Sequence, residues 1–474
     1  MEKTVNIIKE LEPLFYPDSV ALIGASGNPA KVGNRILKVL MKTVKNLYPV
    51  HPVDKEVLGL KVINRIEDLP ENISLAVVTI SANYAVEAVR SCAKKGIKVI
   101  VIVSGGFGEI GGEGSVLEDQ LRDIHIEYGT RMLGPNSLGI FLPETGLDTI
   151  FVEHGDKALS GGGGIAFITQ SGSVGTEALG LASNAGYGMR AFVGLGNKVD
   201  LTETHFLEYF SIDKKTNCLA FYSESLDDGK IFLEKAKEAS KRKAVVILKA
   251  GRTEAGQSAV SSHTGKLAGS DNVVNGAFRQ YGIQRAYDEE EICDASKSLS
   301  MLKIPKGNKV AVISAAGGYG VMCTDYIEQK YSRIQLHLAE FSKETTERLN
   351  EINLPFASTH NPVDITASAD DKIYVDTLDA VLRDSGVDIV ICLSFFTIPA
   401  VTKNLVKKIS EKIMEFDKPV ITFAQYGPFT NKYLKEFYDR GVVGFSSVYR
   451  TVRAARFLVE RADILKTFGE EDEY

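Results

Sequence analysis

Two rhythms of apolar residues take turns along the chain. Short continuous runs stand at Ser19-Val20-Ala21-Leu22-Ile23, Leu75-Ala76-Val77-Val78-Thr79-Ile80, Val99-Ile100-Val101-Ile102-Val103, Ile165-Ala166-Phe167-Ile168, Leu219-Ala220-Phe221-Tyr222, Ala244-Val245-Val246-Ile247-Leu248 and Val310-Ala311-Val312-Ile313-Ser314. Between them, apolar residues recur at helical spacing: Ile36, Leu37, Val39 and Leu40, the stretch from Tyr84 to Lys95, then Ala178, Leu179 and Leu181, and Val321 to Ile327. A continuous apolar run bounded by turn residues reads as a strand buried on both faces, and such strands belong to parallel sheets covered by helices. The same alternation predicts strands at Ile389–Leu393 and Val420–Phe423, and helices around 372–385, 400–416 and 430–439. A last helix carries Val448, Val452, Ala455 and Leu458. The fold class is therefore α/β with mostly parallel sheets.

Two breaks divide the pattern. Gly161-Gly162-Gly163-Gly164 favours neither helix nor strand, and Lys303-Ile304-Pro305-Lys306-Gly307 is a polar, Pro/Gly-containing boundary. A chain of 474 residues is too long for one core and suits about three domains. The expected organisation is three Rossmann-like or flavodoxin-like domains, over 1–150, 158–300 and 305–474.

Composition narrows the classes. With 44% hydrophobic and 24% charged residues the chain reads as soluble and globular, and a net charge of −6 gives no electrostatic reason to expect nucleic acid. No uninterrupted apolar run is long enough for a membrane span and Met1 to Val5 lacks a signal peptide's apolar core, so a cytoplasmic protein without membrane association is expected. The five cysteines, Cys92, Cys218, Cys293, Cys323 and Cys392, are scattered through apolar segments and read as reduced core residues.

Chemistry concentrates in the turns after the strands. Gly24-Ala25-Ser26-Gly27-Asn28-Pro29, with Lys31 just beyond, links a strand to a helix and can offer backbone N–H groups to a phosphate. It is not the dinucleotide pattern G-x-G-x-x-G, which would need glycine in place of Ser26 and Pro29. Ser104-Gly105-Gly106 and Gly134-Pro135-Asn136-Ser137 follow later strands and should share the same crevice. Ser171-Gly172-Ser173 and Ala316-Gly317-Gly318 are two further turns opening helices. A hydrolase elbow around Ser173 is disfavoured because Ser171 stands where glycine is needed. No sequence G-x-x-x-x-G-K-[ST] occurs.

Arg252 to Ser270 departs from the pattern: a run of small residues around Ser261-Ser262-His263-Thr264-Gly265-Lys266 reads as a loop far longer than the about 2 to 6 residues usual in α/β units. By itself His263 is open to two readings, an exposed loop histidine or a nucleophile that accepts a phosphoryl group. A metal-ligand role is disfavoured because no second ligand stands at suitable spacing. Glu224, at the end of a strand, is either an acid that orients an imidazole or a solvated loop acid.

Taken in order, Ala21-Leu22-Ile23-Gly24-Ala25-Ser26, Gly134-Pro135-Asn136-Ser137, Gln170-Ser171-Gly172, Leu195-Gly196-Asn197-Lys198, Ser262-His263-Thr264-Gly265, Ala316-Gly317-Gly318 and His360-Asn361-Pro362-Val363-Asp364 resemble the α subunits of ADP-forming acyl-CoA synthetases and, more distantly, succinyl-CoA synthetase. The resemblance implies that coenzyme A is bound at Gly24, Ala25, Ser26, Gly27, Lys31, Ser104, Gly105, Asn136 and Ser137. It implies that His263 is phosphorylated with Glu224 stabilising it, and that the turns Ser171, Gly172, Ser173 and Ala316, Gly317, Gly318 face the phosphate. It implies no metal on this chain; ADP or ATP with Mg would sit on a partner β subunit with an ATP-grasp domain, and the other substrate is a small carboxylic acid or its acyl-CoA. The chain departs from the family at His51-Pro52-Val53-Asp54, at Tyr319 and at Ser223 and Ser225. The alternatives are a CoA-binding regulatory module without catalysis and a nicotinamide dehydrogenase, the latter lacking its glycine pattern.

Overall fold

The structure, a computed structural model, describes residues 2–154, 163–185, 187–264, 270–329, 334–425 and 427–471. The chain forms two compact units, Met1–Ser183 with Gly188–Ile292, and Asn184–Tyr187 with Cys293–Tyr474.

The first unit holds two sheets. In one, the strands Leu47–Val50, Val20–Ile23, Leu75–Val78, Val99–Ile102 and Arg131–Leu133 lie side by side in that order, all parallel. Their apolar runs divide by parity, as a pleated strand requires. Val20, Leu22, Leu75, Val77, Val99 and Val101 enter one core, while Ala21, Ile23, Ala76, Val78, Ile100 and Ile102 enter the core of the opposite face. The second sheet runs Gln284–Ala286, Ala244–Lys249, Cys218–Ser223, Ile165–Thr169 and Ala191–Gly194, again all parallel. An antiparallel hairpin, Gly139–Leu142 with Leu147–Asp148, extends its edge. The second unit holds His337–Leu338, Lys309–Ser314, Ile389–Ser394, Val420–Ala424 and Gly444–Phe445 in that order, with the short Val363–Asp364 also on Lys309–Ser314.

Numbered by appearance in the chain, and leaving Val363–Asp364 aside, the parallel strands of all three sheets follow one order, 2-1-3-4-5. This is the flavodoxin-like arrangement, in which the chain reverses direction of travel between strands one and three and opens a crevice at their carboxyl ends. The three predicted phosphate-ready turns all follow the first strand of a sheet, so each stands at such a crevice.

The expected long loop from Arg252 to Ser270 is corrected. Residues Glu254–Thr264 form a helix. Thr253 starts it by accepting the Gly256 N–H on its hydroxyl at 3.0 Å and the Gln257 N–H on its carbonyl at 2.7 Å. Val260, 7% exposed, anchors its inner face. Small residues carry almost no amphipathic pattern and so predict a loop, yet Ala255, Gln257 and Ala259 are good helix formers behind a Thr cap. Gly265 to Lys266, the end of the predicted histidine motif, lies outside the described residues.

Candidate active site

The first crevice is shaped by close backbone approaches. A Cβ on Gly33 would meet the Gly24 carbonyl oxygen at 2.0 Å, and one on Gly24, whose φ is +94°, would meet Thr79 Oγ1 at 2.7 Å. The helix Val32–Thr43 can therefore start directly over the end of the first strand. Side chains hold the turn: Ser26 Oγ accepts from Asn28 N at 3.1 Å, Asn34 Nδ2 donates to the Ser26 carbonyl at 2.8 Å, and Thr79 Oγ1 donates to the Ile23 carbonyl at 3.0 Å. The N–H groups of Gly24 and Ala25 are spent on the Val50 carbonyl, at 3.0 and 3.3 Å. Those of Ser26, Gly27, Val32 and Gly33 have no acceptor among the described residues. Gly27 and Lys31 are exposed, and a Cβ on Gly27 would meet nothing within 4 Å, so backbone donors and one ammonium face open space there.

Ser104, Gly105, Asn136 and Ser137 gather at the neighbouring strand ends. Asn136 N donates to the Ser104 carbonyl at 2.8 Å, and a Cβ on Gly105 would meet Asn136 Oδ1 at 3.3 Å. Ser137 is buried and structural, donating to the Gly194 carbonyl at 2.6 Å. Sequence reasoning missed the acids behind this group. Asn197 Nδ2 donates to both Glu109 and Glu118, at 2.6 and 2.9 Å, and these accept the Phe107 and Gly108 N–H groups at 3.2 and 3.0 Å. Burial would raise the Glu109 carboxyl, but the Asn197 amide and the backbone donors outweigh it and hold it below the usual range. The helix Glu254–Thr264, which carries His263 in its last turn, packs against Gly108–Ile110 of this segment. The His263 side chain is outside the described residues.

At the second crevice, the last residue of the first strand latches the turn. Thr169 Oγ1 donates to the Ser171 carbonyl at 2.7 Å and accepts from Ser171 N at 3.1 Å, and the helix Gly172–Ala185 begins at once. Ser171 and Ser173 hydroxyls lie 3.1 Å apart beside the helix start. Across the crevice Glu224 follows the third strand directly and is 7% exposed. Gln170 ties the two sides together: its Oε1 accepts from Glu224 N and Ser225 N at 2.9 and 3.1 Å, and its Nε2 donates to Ser225 Oγ at 3.3 Å. Tyr222 donates its hydroxyl to Glu224 Oε1 at 3.3 Å; burial and the carboxylate raise the phenol's pKa together. Two buried lysines support the backbone. Lys249 donates to the Glu224 carbonyl at 2.7 Å, its pKa lowered chiefly by burial and further by Arg285. Lys198 donates to the Ser225 carbonyl at 2.9 Å and is paired with Glu203 at 3.2 Å. Glu224 is thus a buried group on a braced backbone, and the solvated-acid reading fails.

The third crevice repeats the latch. Ser314 Oγ donates to the Ala316 carbonyl at 2.8 Å and accepts from Ala316 N at 3.1 Å, ahead of the helix Gly317–Ile327, with Gly317 and Gly318 exposed. A Cβ on Gly317 would meet Asp364 Oδ2 at 2.8 Å. This turn belongs to the second compact unit, whereas the other predicted site residues belong to the first.

Three flavodoxin-order sheets with donor-lined turns follow one another along the chain, and the similarities to known proteins follow them segment by segment. Residues 18–143 match the CoA binding domain family, 162–299 the succinyl-CoA ligase like flavodoxin domain, and 310–461 the ligase-CoA domain. The chain is 39% identical over 381 residues to the acetate–CoA ligase (ADP-forming) I subunit alpha of Pyrococcus furiosus, covering 79% of this chain and 80% of that protein. It is 32% identical over 459 residues to the II subunit alpha of the same organism, covering 95% and 98%. The dinucleotide forming acetyl-coenzyme A synthetase 1 of Ca. Korarchaeum cryptofilum, determined in complex with phosphate and ADP, superposes with a TM-score of 0.89 at 31% identity, covering 97% of this chain and 98% of that one. The chain belongs to the family of ADP-forming acetate–CoA ligases.

Proposed function

We propose that this chain is the α subunit of an ADP-forming acid–CoA ligase and that His263 carries a phosphoryl group from an acyl phosphate to ADP held by a partner subunit. Phosphate attacks the thioester carbonyl, the C–S bond breaks and an acyl phosphate and CoA form. A ring nitrogen of His263 then attacks phosphorus, the P–O bond to the acyl oxygen breaks, and the acid leaves as a carboxylate. ADP takes the phosphoryl group from the histidine, regenerating the ring.

The chain's own residues supply binding and charge. The Ser26 and Gly27 N–H groups, with Lys31, would receive CoA phosphates, and Ser104, Gly105 and Asn136 would line the same crevice. The helix start at Ser171 to Ser173 would direct its dipole and hydroxyls at the transferred phosphoryl group, and the start at Ala316 to Gly318, in the second unit, would offer a phosphate donors of the same kind. Glu224 would accept a hydrogen bond from the second ring nitrogen and favour the charged ring formed during transfer. The observation that carries this reading is the buried Glu224, whose backbone N–H is joined through the Gln170 side chain to a helix start at the second crevice.

The partner is inferred from chain length among relatives. The Pyrococcus furiosus proteins are named as alpha subunits, whereas 81% of this chain matches only 54% of acetate–CoA ligase (ADP-forming) I of Archaeoglobus fulgidus. The remainder of such a longer chain would correspond to a separate β subunit, for which an ATP-grasp domain holding ADP or ATP with Mg is the expected content. The acid is a small carboxylic acid; membership of the family leaves its identity open, since a relative from Nitrosopumilus maritimus is named for 4-hydroxybutyrate.

The test is labelling of the isolated chain with acetyl-CoA and radiolabelled phosphate. An acid-labile, base-stable label that disappears in His263→Ala is expected, with no label from ATP until the β subunit is added. Label surviving His263→Ala would overturn the assignment of the nucleophile.

A further inference from the structure

Two turns lock together where the first sheet hands over to the second. The chain leaves Arg131–Leu133 of the first sheet through Gly134-Pro135-Asn136-Ser137 and enters the hairpin strand Gly139–Leu142 of the second. Leu195-Gly196-Asn197-Lys198, the turn after Ala191–Gly194, lies directly on that crossing. Asn197 N donates to the Pro135 carbonyl at 2.9 Å and Val199 N to the Gly134 carbonyl at 3.0 Å, while a Cβ on Gly196 would meet the Pro135 carbonyl oxygen at 2.1 Å. Asn136 and Lys198 hold φ of +57° and +64°, a conformation that costs a residue with a side chain and persists only where its surroundings impose it. From this joint two neighbouring side chains reach different crevices. Asn197 reaches the first: its Oδ1 accepts from Asn136 Nδ2 at 3.4 Å, and its Nδ2 donates to Glu109 Oε2 and Glu118 Oε2 at 2.6 and 2.9 Å. Lys198, buried, reaches the second: it donates to the Ser225 carbonyl and hydroxyl at 2.9 and 3.2 Å, and that hydroxyl also accepts from Gln170 beside Glu224.

We propose that Asn197 is a positioning residue that holds acyl-CoA, seated along Ser104, Gly105 and Asn136, in register with phosphate at the Ser171 to Ser173 helix start. The inference rests on the functional reading above, in which thioester and phosphate occupy different crevices before they react. Attack needs the reacting atoms about 3 to 3.5 Å apart, and a misplacement of about 1 Å costs on the order of 100-fold in rate. Asn197 suits this role because its side chain grips three groups of the first crevice while its backbone belongs to the turn whose next residue grips the second. In Asn197→Ala the backbone bonds to Gly134 and Pro135 and all the Lys198 contacts remain, so the second crevice keeps its shape and only the hold on Asn136, Glu109 and Glu118 is released.

The experiment compares two labelling reactions of the full chain. Acetyl-CoA with radiolabelled phosphate needs both crevices in register; acetyl phosphate carrying the label on phosphorus needs the second crevice alone. Asn197→Ala should slow the first reaction about 10- to 100-fold through kcat, with KM for acetyl-CoA within about threefold of the parent and the second reaction within about threefold. Asn197→Asp, of nearly the same size, sets a third carboxylate against Glu109 and Glu118 and should show the same split. Gln170→Leu, on the side of the second crevice, should slow both reactions. Equal slowing of both reactions in Asn197→Ala would make Asn197 a structural residue, a change in KM alone would make it a CoA contact, and parent-like rates in either Asn197 variant would leave it no role; each would overturn the proposal. A parent chain that acetyl phosphate does not label would instead overturn the functional reading, and this inference with it.

Discussion

The second and third sheets share a strand order and a hydroxyl-latched turn, yet they diverge at the residue that follows the third strand. In the second sheet that residue is Glu224, braced by Gln170, Tyr222 and Lys249. In the third it is Phe395, with its ring centroid 5.1 Å from Tyr319 and 5.7 Å from Phe423. Tyr319 also lies 5.4 Å from Phe423. The sheet therefore fixes where a crevice opens, and the side chains around the strand ends set its surroundings, a braced acid in one case and three packed aromatic rings in the other. Shared topology alone carries no chemistry.

The sharpest way to break this comparison is to substitute the same position in both sheets. Phe395→Ala removes a ring that is 3% exposed and leaves a cavity, and the loss should be about 3 to 5 kcal/mol from the stability of the second unit. Urea denaturation of the full chain would read it; a loss below about 1 kcal/mol would mean the aromatic packing is incidental. Glu224→Gln keeps shape and burial but removes the charge. Phosphorylation from acyl-CoA and phosphate should slow roughly 100- to 1,000-fold while thermal stability stays within a few degrees of the parent. An unchanged rate would make Glu224 a structural acid like any other.

A smaller effect is expected at the bridge between the turn and the Glu224 backbone. Gln170→Leu deprives the Glu224 and Ser225 N–H groups of their shared acceptor, which should cost about 1 to 3 kcal/mol of stability. Because the amide also sets the Glu224 backbone, the rate should fall with kcat rather than KM, and Gln170→Glu, which keeps an acceptor, should recover some of it. Equal behaviour of the two variants would show that Gln170 merely fills space.

These residues also mark what the sequence disclosed. The first and third strands of every sheet were legible because strands buried on both faces, such as Ala244–Lys249, leave unbroken apolar runs. The turns that open helices after those strands were legible because glycines and small hydroxyl residues follow the runs. The shared strand order was not, since it depends on which strands pair, and neither was the hairpin Gly139–Leu142 with Leu147–Asp148, which continues the second sheet from sequence ahead of it. The bracing of Glu224 by Gln170 and Lys249 was hidden for the same reason: 54 residues separate Gln170 from Glu224, and no local pattern announces a contact at that range. The helix through His263 was lost to small residues whose helix preference is real but has no periodic signature.

The last prediction extends the contrast between polar and aromatic surroundings to buried lysines. Lys198 in the first unit is matched by Glu203 and Asp227, at 3.2 and 3.4 Å. Lys297 in the second unit donates to the Gly444 carbonyl at 3.0 Å and lies 4.0 Å from the Phe445 ring and 5.6 Å from that of Tyr187. Burial lowers its pKa to about 8, with Asp294 and Cys293 opposing and Arg450 reinforcing the shift. The unfolded chain, with an ordinary lysine near 10.5, binds more protons than the folded one between about 8 and 10.5, so stability must rise with pH through that window. Below about 8 both states are protonated and the penalty for burying the charge is constant. From pH 7 to pH 9 the second unit of the parent should gain about 1 kcal/mol relative to Lys297→Met, which has no proton to lose. Denaturant unfolding of both proteins across that range measures the difference, and no gain of the parent on Lys297→Met between pH 7 and pH 9 would show that the aromatic cage accommodates the charge as well as an acid would.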